Sequence, residues 1–164
     1  MNHYPNIRLI IREASIHDAK ELRSVIHTCV EKTHGANYSP EEISIWKKGY
    51  SINAIEEFIK QKRQVFLLEF GGSICGTIQF DTECSEIKGF YVHPSYQFQG
   101  FGTILLKFIL GQLRASGIQN IELSSNKFFK SFYEKFLFQV VRKEQVCWGG
   151  YEFEEYRLRK RLCP

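Results

Sequence analysis

Gln97-Phe98-Gln99-Gly100-Phe101-Gly102-Thr103 joins a β-type run to an apolar pattern of helical period. Residues of these types at the start of a helix can bind an anion. The first amides of a helix have no carbonyl partner, and the helix dipole adds partial positive charge at that end. Phosphate is the natural occupant. Gly100 and Gly102 let the backbone approach a ligand and take a positive φ where one is needed, while Thr103 offers a hydroxyl. A plain glycine-containing strand-to-helix turn is the alternative reading. Two nucleotide motifs do not fit. There is no GxGxxG, because Gly100-Phe101-Gly102 runs on to Leu105, and there is no GxxxxGK[ST].

Other reactive side chains are scattered. Glu86, Lys88 and Phe90 share one strand face by period-two alternation. Lys88 is therefore placed to pair with Glu86, which would weaken it as a base. His93 is an acid–base candidate by type, but its place before Pro94 reads as structural. The five cysteines, Cys29, Cys75, Cys84, Cys147 and Cys163, are irregularly spaced and form no CxxC pair. They read as buried thiols in a reducing compartment, with no zinc or redox motif. The densest basic run is Arg157, Arg159, Lys160 and Arg161. It reads as a solvated strand face, with attraction of a phosphorylated cofactor or nucleic acid as the alternative. A nucleic-acid surface would interleave aromatic and basic residues. Here Tyr151, Phe153 and Tyr156 alternate with Glu152, Glu154 and Glu155, so nucleic acid is not an expected partner.

The elements that must position these residues follow from periodicity. Ile7 to Arg12 is a β-type run. Ser15 caps a helix, with Asp18 as a partial capping box, and Ala19, Leu22, Val25, Ile26, Cys29 and Val30 form its apolar stripe. His34-Gly35-Ala36-Asn37 breaks it. Ser39 caps a second helix with Pro40 at its first position, and Asn53 to Gln61 is a third. Val65–Phe70 and Ile74–Asp81 form a hairpin about Gly71-Gly72. Glu86 to His93 is a strand, Phe101 to Ser116 a helix closed by Gly117, Ile121 to Ser124 a strand, and Lys127 to Phe136 a short helix. Val140–Trp148 and Glu152–Leu162 form a last hairpin about Gly149-Gly150. The order predicts an α+β fold with a central sheet flanked by helices. The 164 residues, with a net charge of +4, fit one domain over 1–164. The N-terminus, Met1 to Ile11, lacks the apolar core of a signal peptide. No apolar run is long enough to span a bilayer, so a cytoplasmic protein without a membrane partner is expected.

Gln97-x-x-Gly100-x-Gly102, preceded by Tyr91-Val92-His93-Pro94, resembles the pyrophosphate-binding motif of the GNAT superfamily of acyl-CoA N-acyltransferases. The resemblance extends over nearly the whole order of elements. Tyr38-Ser39-Pro40-Glu41-Glu42 with Trp46, and Val141-Arg142-Lys143-Glu144-Gln145 with Gly150, resemble a bacterial subgroup of that family. The resemblance implies a splayed sheet that grips acetyl-CoA between the strands at Glu86–His93 and Ile121–Ser124. It implies direct attack of an amine on a thioester. Phe90, Tyr91 and Val92 would line the thioester and pantetheine arm, with the Val92 amide polarising the acetyl carbonyl. Gln97, Phe98, Gln99, Gly100, Phe101, Gly102 and Thr103 would hold the pyrophosphate.

Asn126 and Tyr133, seven residues apart, are similar to the family's Asn-x-x-Ala-x-x-x-Tyr pattern. The pattern puts Asn126 on the pantetheine and makes Tyr133 the general acid for the leaving thiolate. A packed core tyrosine is the alternative for Tyr133. Phe129 stands where the family has a small residue and would, with Phe132, line the pantetheine channel. Leu137 stands where the family has glycine.

An alkylammonium must lose a proton before it attacks. Glu86, eleven residues before Gln97, has the spacing of the catalytic glutamate of the family's histone-acetylating branch, while a surface glutamate is the alternative. His34, Tyr38 and Trp46 lie where the family builds its acceptor pocket, with packing and capping roles as the alternative. The resemblance implies an N-acetyltransferase acting on a small-molecule or peptide amine, with no metal. A CoA-binding sensor or partner protein without turnover is the other reading. A homodimer through the last hairpin edge is compatible with the pattern.

Overall fold

A computed structural model describes residues 8–61 and 63–162. Ile7, the other residues before Arg8, and Cys163 lie outside the described residues. Seven strands form one sheet in the order β1-β2-β3-β4-β5-β7-β6. They are β1 (Leu9–Glu13), β2 (Arg63–Phe70), β3 (Ser73–Asp81), β4 (Glu86–Val92), β5 (Asn120–Ser125), β6 (Gln139–Trp148) and β7 (Tyr151–Arg161). The helices are α1 (Ala19–Cys29), α2 (Pro40–Gly49), α3 (Ile52–Lys60), α4 (Phe101–Ala115) and α5 (Lys130–Glu134). Among the described residues no helix is long and apolar enough to cross a membrane.

Central strands covered on both faces explain the continuous apolar run Val65-Phe66-Leu67-Leu68. Val65 and Leu67 pack with Leu22, Ile26 and Ile55 of α1 and α3. Phe66 and Leu68 pack on the other face with Leu105, Leu106, Ile109 and Leu113 of α4. Each fully buried Leu or Ile contributes about 1.5–3 kcal/mol relative to exposure, so the two apolar stripes clamp β2 to β4 from both sides. The α4 helix ends as its Gly117 signal predicts. Gly117 N–H donates to Arg114 O and Ile118 N–H to Leu113 O, the paired bonds of a Schellman cap.

Local chemistry moves some boundaries. The Asp18 carboxylate accepts from Ser15 N–H and Oγ–H, and a 3-10 turn at Ile16–Asp18 precedes α1. The break expected at His34-Gly35-Ala36-Asn37 does not follow α1 directly, because between them lies Val30–His34. This segment continues the helix as a π turn, a widening often found beside functional sites. Ser39 caps α2 as expected, accepting from Glu42 N–H while Glu42 accepts from Ser39 N–H. The α5 helix is shorter than Lys127 to Phe136. The Asn126 side chain accepts from Phe128 and Phe129 N–H, and this Asx turn holds the first residues outside the helix.

Leu137 closes α5 with a φ of +63° and is 75% exposed. A left-handed conformation costs a non-glycine residue about 1–2 kcal/mol, and so exposed a side chain returns little burial. Leu137→Gly is expected to raise stability by about 1 kcal/mol, a rise of about 2–4 °C in Tm for a domain of this size. A thermal melt with an unchanged or lower midpoint would mean that the leucine side chain contributes to the fold.

The expectation of buried thiols holds for Cys29 and Cys75, and is corrected for Cys84 and Cys147, which are exposed. Burial pushes the Cys29 thiol up to about 12 and that of Cys75 to about 11, so both stay protonated and unreactive at neutral pH. The C-terminal basic run is partly neutralised. Arg157 pairs with Glu86 and Glu144, and Arg159 with Glu122.

Candidate active site

Among the described residues, the sheet opens where its one parallel pair of strands meets. β4 and β5 pair through Glu86↔Glu122 and Ile87↔Leu123 alone. Just beyond, the register of β4 against β3 passes from Ile87 to Gly89, leaving Lys88 as a bulge. A bulge bends its strand and increases its twist, so β4 turns away from β5 from this point. His93 N–H donates to Cys75 O on β3. By strand alternation the Val92 and Phe90 amides face away from β3, into the opening. A cleft of about 1060 Å³ fills the gap, with Phe90, Tyr91 and Val92 on one side and Leu123, Ser124 and Ser125 on the other. A shallower depression of about 470 Å³ at Cys84, Asn120 and Glu122 lies at the closed end of this strand pair, away from the convergent polar groups.

The start of α4 forms one end of the cleft. Gly100 caps the helix with a φ of +88°, a conformation open to glycine at no steric cost. Ile104 N–H takes Gly100 O, the first bond of the helix. The amides of Phe101, Gly102 and Thr103 therefore remain the orphan donors of the first turn. The Gln97 side chain does not join them. Its Nε2 donates to Val92 O at 2.8 Å and to Thr33 Oγ1 at 3.0 Å, fastening the loop to β4 and to the π turn. Two further side chains of the loop also point elsewhere. Gln99 donates to Ser95 O, and the Phe101 ring is buried against Phe70 and Tyr96. Neither residue lines the cleft, so only their backbone can face a ligand. Phe98 is fully exposed at the mouth, with a φ of +61°. His93 stands outside the cleft lining. Its Nδ1 accepts from Ser95 N–H, a structural cap.

The β5–α5 segment forms the opposite wall. Tyr133 lines the cleft yet is 7% exposed. Its ring packs against Phe90, Phe132 and Phe138. Burial raises its hydroxyl above the usual tyrosine range, so the proton is held firmly at neutral pH. Asn126 spends its carboxamide oxygen on the Asx turn, and its Nδ2 faces His34 Nδ1 at 3.5 Å. Phe129 sets its ring edge-on to His34 at 5.3 Å and does not fill the cleft.

The far end of the cleft lies between the α1–α2 segment and the β6–β7 hairpin. His34, presented by the π turn, stacks near Trp46 with ring centroids 4.5 Å apart. Burial pushes its imidazole down to about 4, so it is neutral at physiological pH. Trp46 Nε1 donates to Tyr91 Oη at 3.1 Å. Tyr38 joins Trp46 and Phe153.

Glu86 lines the cleft, but Arg157 holds its Oε1 at 2.5 Å and Lys88 holds its Oε2. Neither oxygen can take a proton from an incoming ammonium without breaking an ion pair. The geometry therefore disfavours the proton-accepting role that spacing suggested. Glu155 on β7 is the carboxylate that sequence reasoning passed over. It lines the cleft, and its carboxyl is raised above its ordinary value, chiefly by burial. Period-two alternation with Phe153 and Arg157 was the available signal.

A family model described as an acetyltransferase (GNAT) domain matches residues 35–160. Among solved structures, the chain resembles a GCN5-related N-acetyltransferase of Rhodopseudomonas palustris, with a TM-score of 0.86 and 18% identity over 93% of this chain and 95% of that one. It resembles the PaiA N-acetyltransferase of Thermoplasma acidophilum in complex with coenzyme A, with a TM-score of 0.80 and 22% identity over 94% and 99%. It also resembles yncA of Salmonella typhimurium with its cofactor acetyl-CoA, with a TM-score of 0.64 and 16% identity over 96% and 95%. At these identities the likeness is one of fold. No curated protein matches the chain by sequence.

Proposed function

The chain belongs to the GNAT acetyltransferase family, and on that premise we propose that it transfers an acetyl group from acetyl-CoA to a primary amine. The observation that carries this reading is the parting of β4 from β5 after two residue pairs, with the orphan amides of α4 at one end of the gap and Tyr133 inside it. The residues present fit the cofactor. The amides of Phe101, Gly102 and Thr103, with those of the Gly100 loop, suit a pyrophosphate, and Lys135 at the cleft adds positive charge. Phe90, Val92, Phe129 and Phe132 offer apolar walls to a pantetheine arm. Bound there, acetyl-CoA would supply the acetyl thioester.

The chain's own groups divide the remaining work. Of the inward-facing amides of β4, that of Val92 would donate to the acetyl carbonyl oxygen. Glu155 takes a proton from the ammonium, freeing the amine lone pair. Tyr133 holds a proton at its Oη for the departing sulfur. Arg157, drawn to Glu86 and Glu144, keeps the strand pair aligned behind Glu155.

Calorimetric titration with acetyl-CoA tests the cofactor reading, and thiol release on adding amines tests transfer. Micromolar binding with amine-dependent thiol release is expected. Binding without release under any amine would favour the non-catalytic CoA-binding alternative. A pH profile tests Glu155. A carboxyl whose pKa is raised stays protonated to a higher pH, so it acts as a base only above that range. Wild-type kcat/KM should fall on the acid side with a midpoint above the usual carboxylate values, and Glu155→Gln should lower the rate about 100-fold or more and remove that limb. A limb that survives in Glu155→Gln assigns the base elsewhere.

A further inference from the structure

The far end of the cleft restricts which amine can enter, an inference that rests on the acetyl-transfer reading above. Its wall is a run of neutral rings. Tyr38 lies 5.6 Å from Trp46 and 5.9 Å from Phe153, and Trp148 lies 6.3 Å from Phe153, all by ring centroids. His34 completes the wall in its neutral form. Flat apolar faces of this kind accept a planar hydrocarbon body.

The charges are few and mostly cancelled. Glu86 and Glu155 are the acidic residues that line the cleft, against Lys88, Lys135 and Arg157. Glu86 is held by Arg157 and Lys88. Among the described residues Glu155 makes no ion pair, which leaves one carboxylate to meet a substrate cation. A polyamine or an aminosugar would bring several cations into a chamber with one counter-charge, and each additional buried cation would be unpaired.

The chamber is also closed from the side. The turn of the β6–β7 hairpin sits directly on α2. A Cβ added at Gly49 would collide with the Trp148 ring, and one added at Gly149 would collide with Ile45. These two glycines let the hairpin tip touch the helix, so a chain cannot lie across the site between them.

We propose that the acceptor is a compact primary monoamine with a flat apolar body, an arylalkylamine in chemical class, whose ammonium binds Glu155 and whose body lies on the Trp46–Phe153 wall. Polyamines, aminoglycosides and polypeptide tails are excluded by the single free carboxylate and the closed hairpin.

Trp46 and Trp148 are the two tryptophans of the chain, so intrinsic fluorescence reports occupancy of this wall directly. The full chain, saturated with CoA, would be titrated with phenethylamine, spermidine, kanamycin and a tetrapeptide with a free N-terminus. Phenethylamine is expected to give a saturable fluorescence change, with the other three at least 10-fold weaker. Glu155→Gln should weaken phenethylamine about 10- to 100-fold, the range for loss of a hydrogen bond to a charged group. Glu155→Asp, which keeps the charge, should fall between the two and serves if the glutamine variant does not fold. Tighter binding of spermidine, kanamycin or the peptide, or an unchanged affinity in both variants, overturns the proposal. Calorimetry with acetyl-CoA separates the two levels. If the wild-type chain binds acetyl-CoA but ignores phenethylamine, this inference fails alone. If it does not bind acetyl-CoA, the transfer reading fails with it.

Discussion

Gly100→Pro is expected to abolish acetyl-CoA binding, weakening it by at least about 100-fold in a calorimetric titration. The native φ of +88° at this position lies far from the roughly −65° that a proline ring imposes. The substitution therefore reorients the loop that leads into α4 and deletes one amide at the same time. Each hydrogen bond to a charged group contributes about 1.5–3 kcal/mol, so loss of one donor and misalignment of two others is enough for this effect. Nothing lies within 4 Å of a Cβ at Gly100, so the damage is conformational and leaves packing intact. Gly100→Ala is the matched control, because it keeps the amide, meets no neighbour and carries only the strain of a positive φ. Circular dichroism should show both variants folded. Wild-type affinity in folded Gly100→Pro would refute the assignment of this loop to the pyrophosphate.

Tyr133→Phe is expected to lower kcat by about 10- to 1000-fold, in the range of general-acid loss, while leaving acetyl-CoA affinity near its original value. The ring is fixed by Phe90, Phe132 and Phe138, and phenylalanine preserves that packing. The hydroxyl has no hydrogen-bond partner among the described residues, so its removal leaves no protein group unsatisfied. Burial keeps the phenol protonated, so it is charged with its proton whenever sulfur departs. Single-turnover thiol release separates this from cofactor binding. Turnover equal to wild type across pH would return Tyr133 to the role of a core tyrosine.

The scaffold was legible wherever one physical signal dominated. The apolar stripe of α4, the Ser39-Pro40 start of α2 and the glycine pairs of both hairpins each predicted their elements to within a residue or two. The misreadings arose where side chains competed with the backbone. Asn126 draws two amides into an Asx turn and shortens α5, which periodicity cannot register. The π turn at Val30–His34 rotates His34 into the cleft, whereas the Gly35 that follows reads as a plain break. Gln97 carries the family motif, yet its amide side chain braces the loop, and motif spacing does not distinguish bracing from binding.

The acid–base residues were the least legible. Glu86 has suggestive spacing, and its pairing with Lys88 follows from alternation. Its second partner, Arg157, sits 71 positions away, beyond any local pattern. In the sequence Glu155 stands out only as one of three acids, with Glu152 and Glu154, that argue against a nucleic-acid surface. Register against β5 and β6 turns it inward beside Phe153, and that register depends on how the last hairpin meets the open edge of β5.

The narrow joint at Glu86↔Glu122 and Ile87↔Leu123 also bears on how such a chain can diversify. The loop into α4 and the β4 wall belong to one half of the sheet. Phe153, Glu155 and Trp148 belong to the other. Because the halves share so few backbone pairs, substitutions along the last hairpin, away from its contacts with α2 and Glu86, can retune the acceptor chamber with little strain passed to the donor grip. The molecule is in this sense two separately tunable parts, one that holds a common reagent and one free to drift toward new recipients.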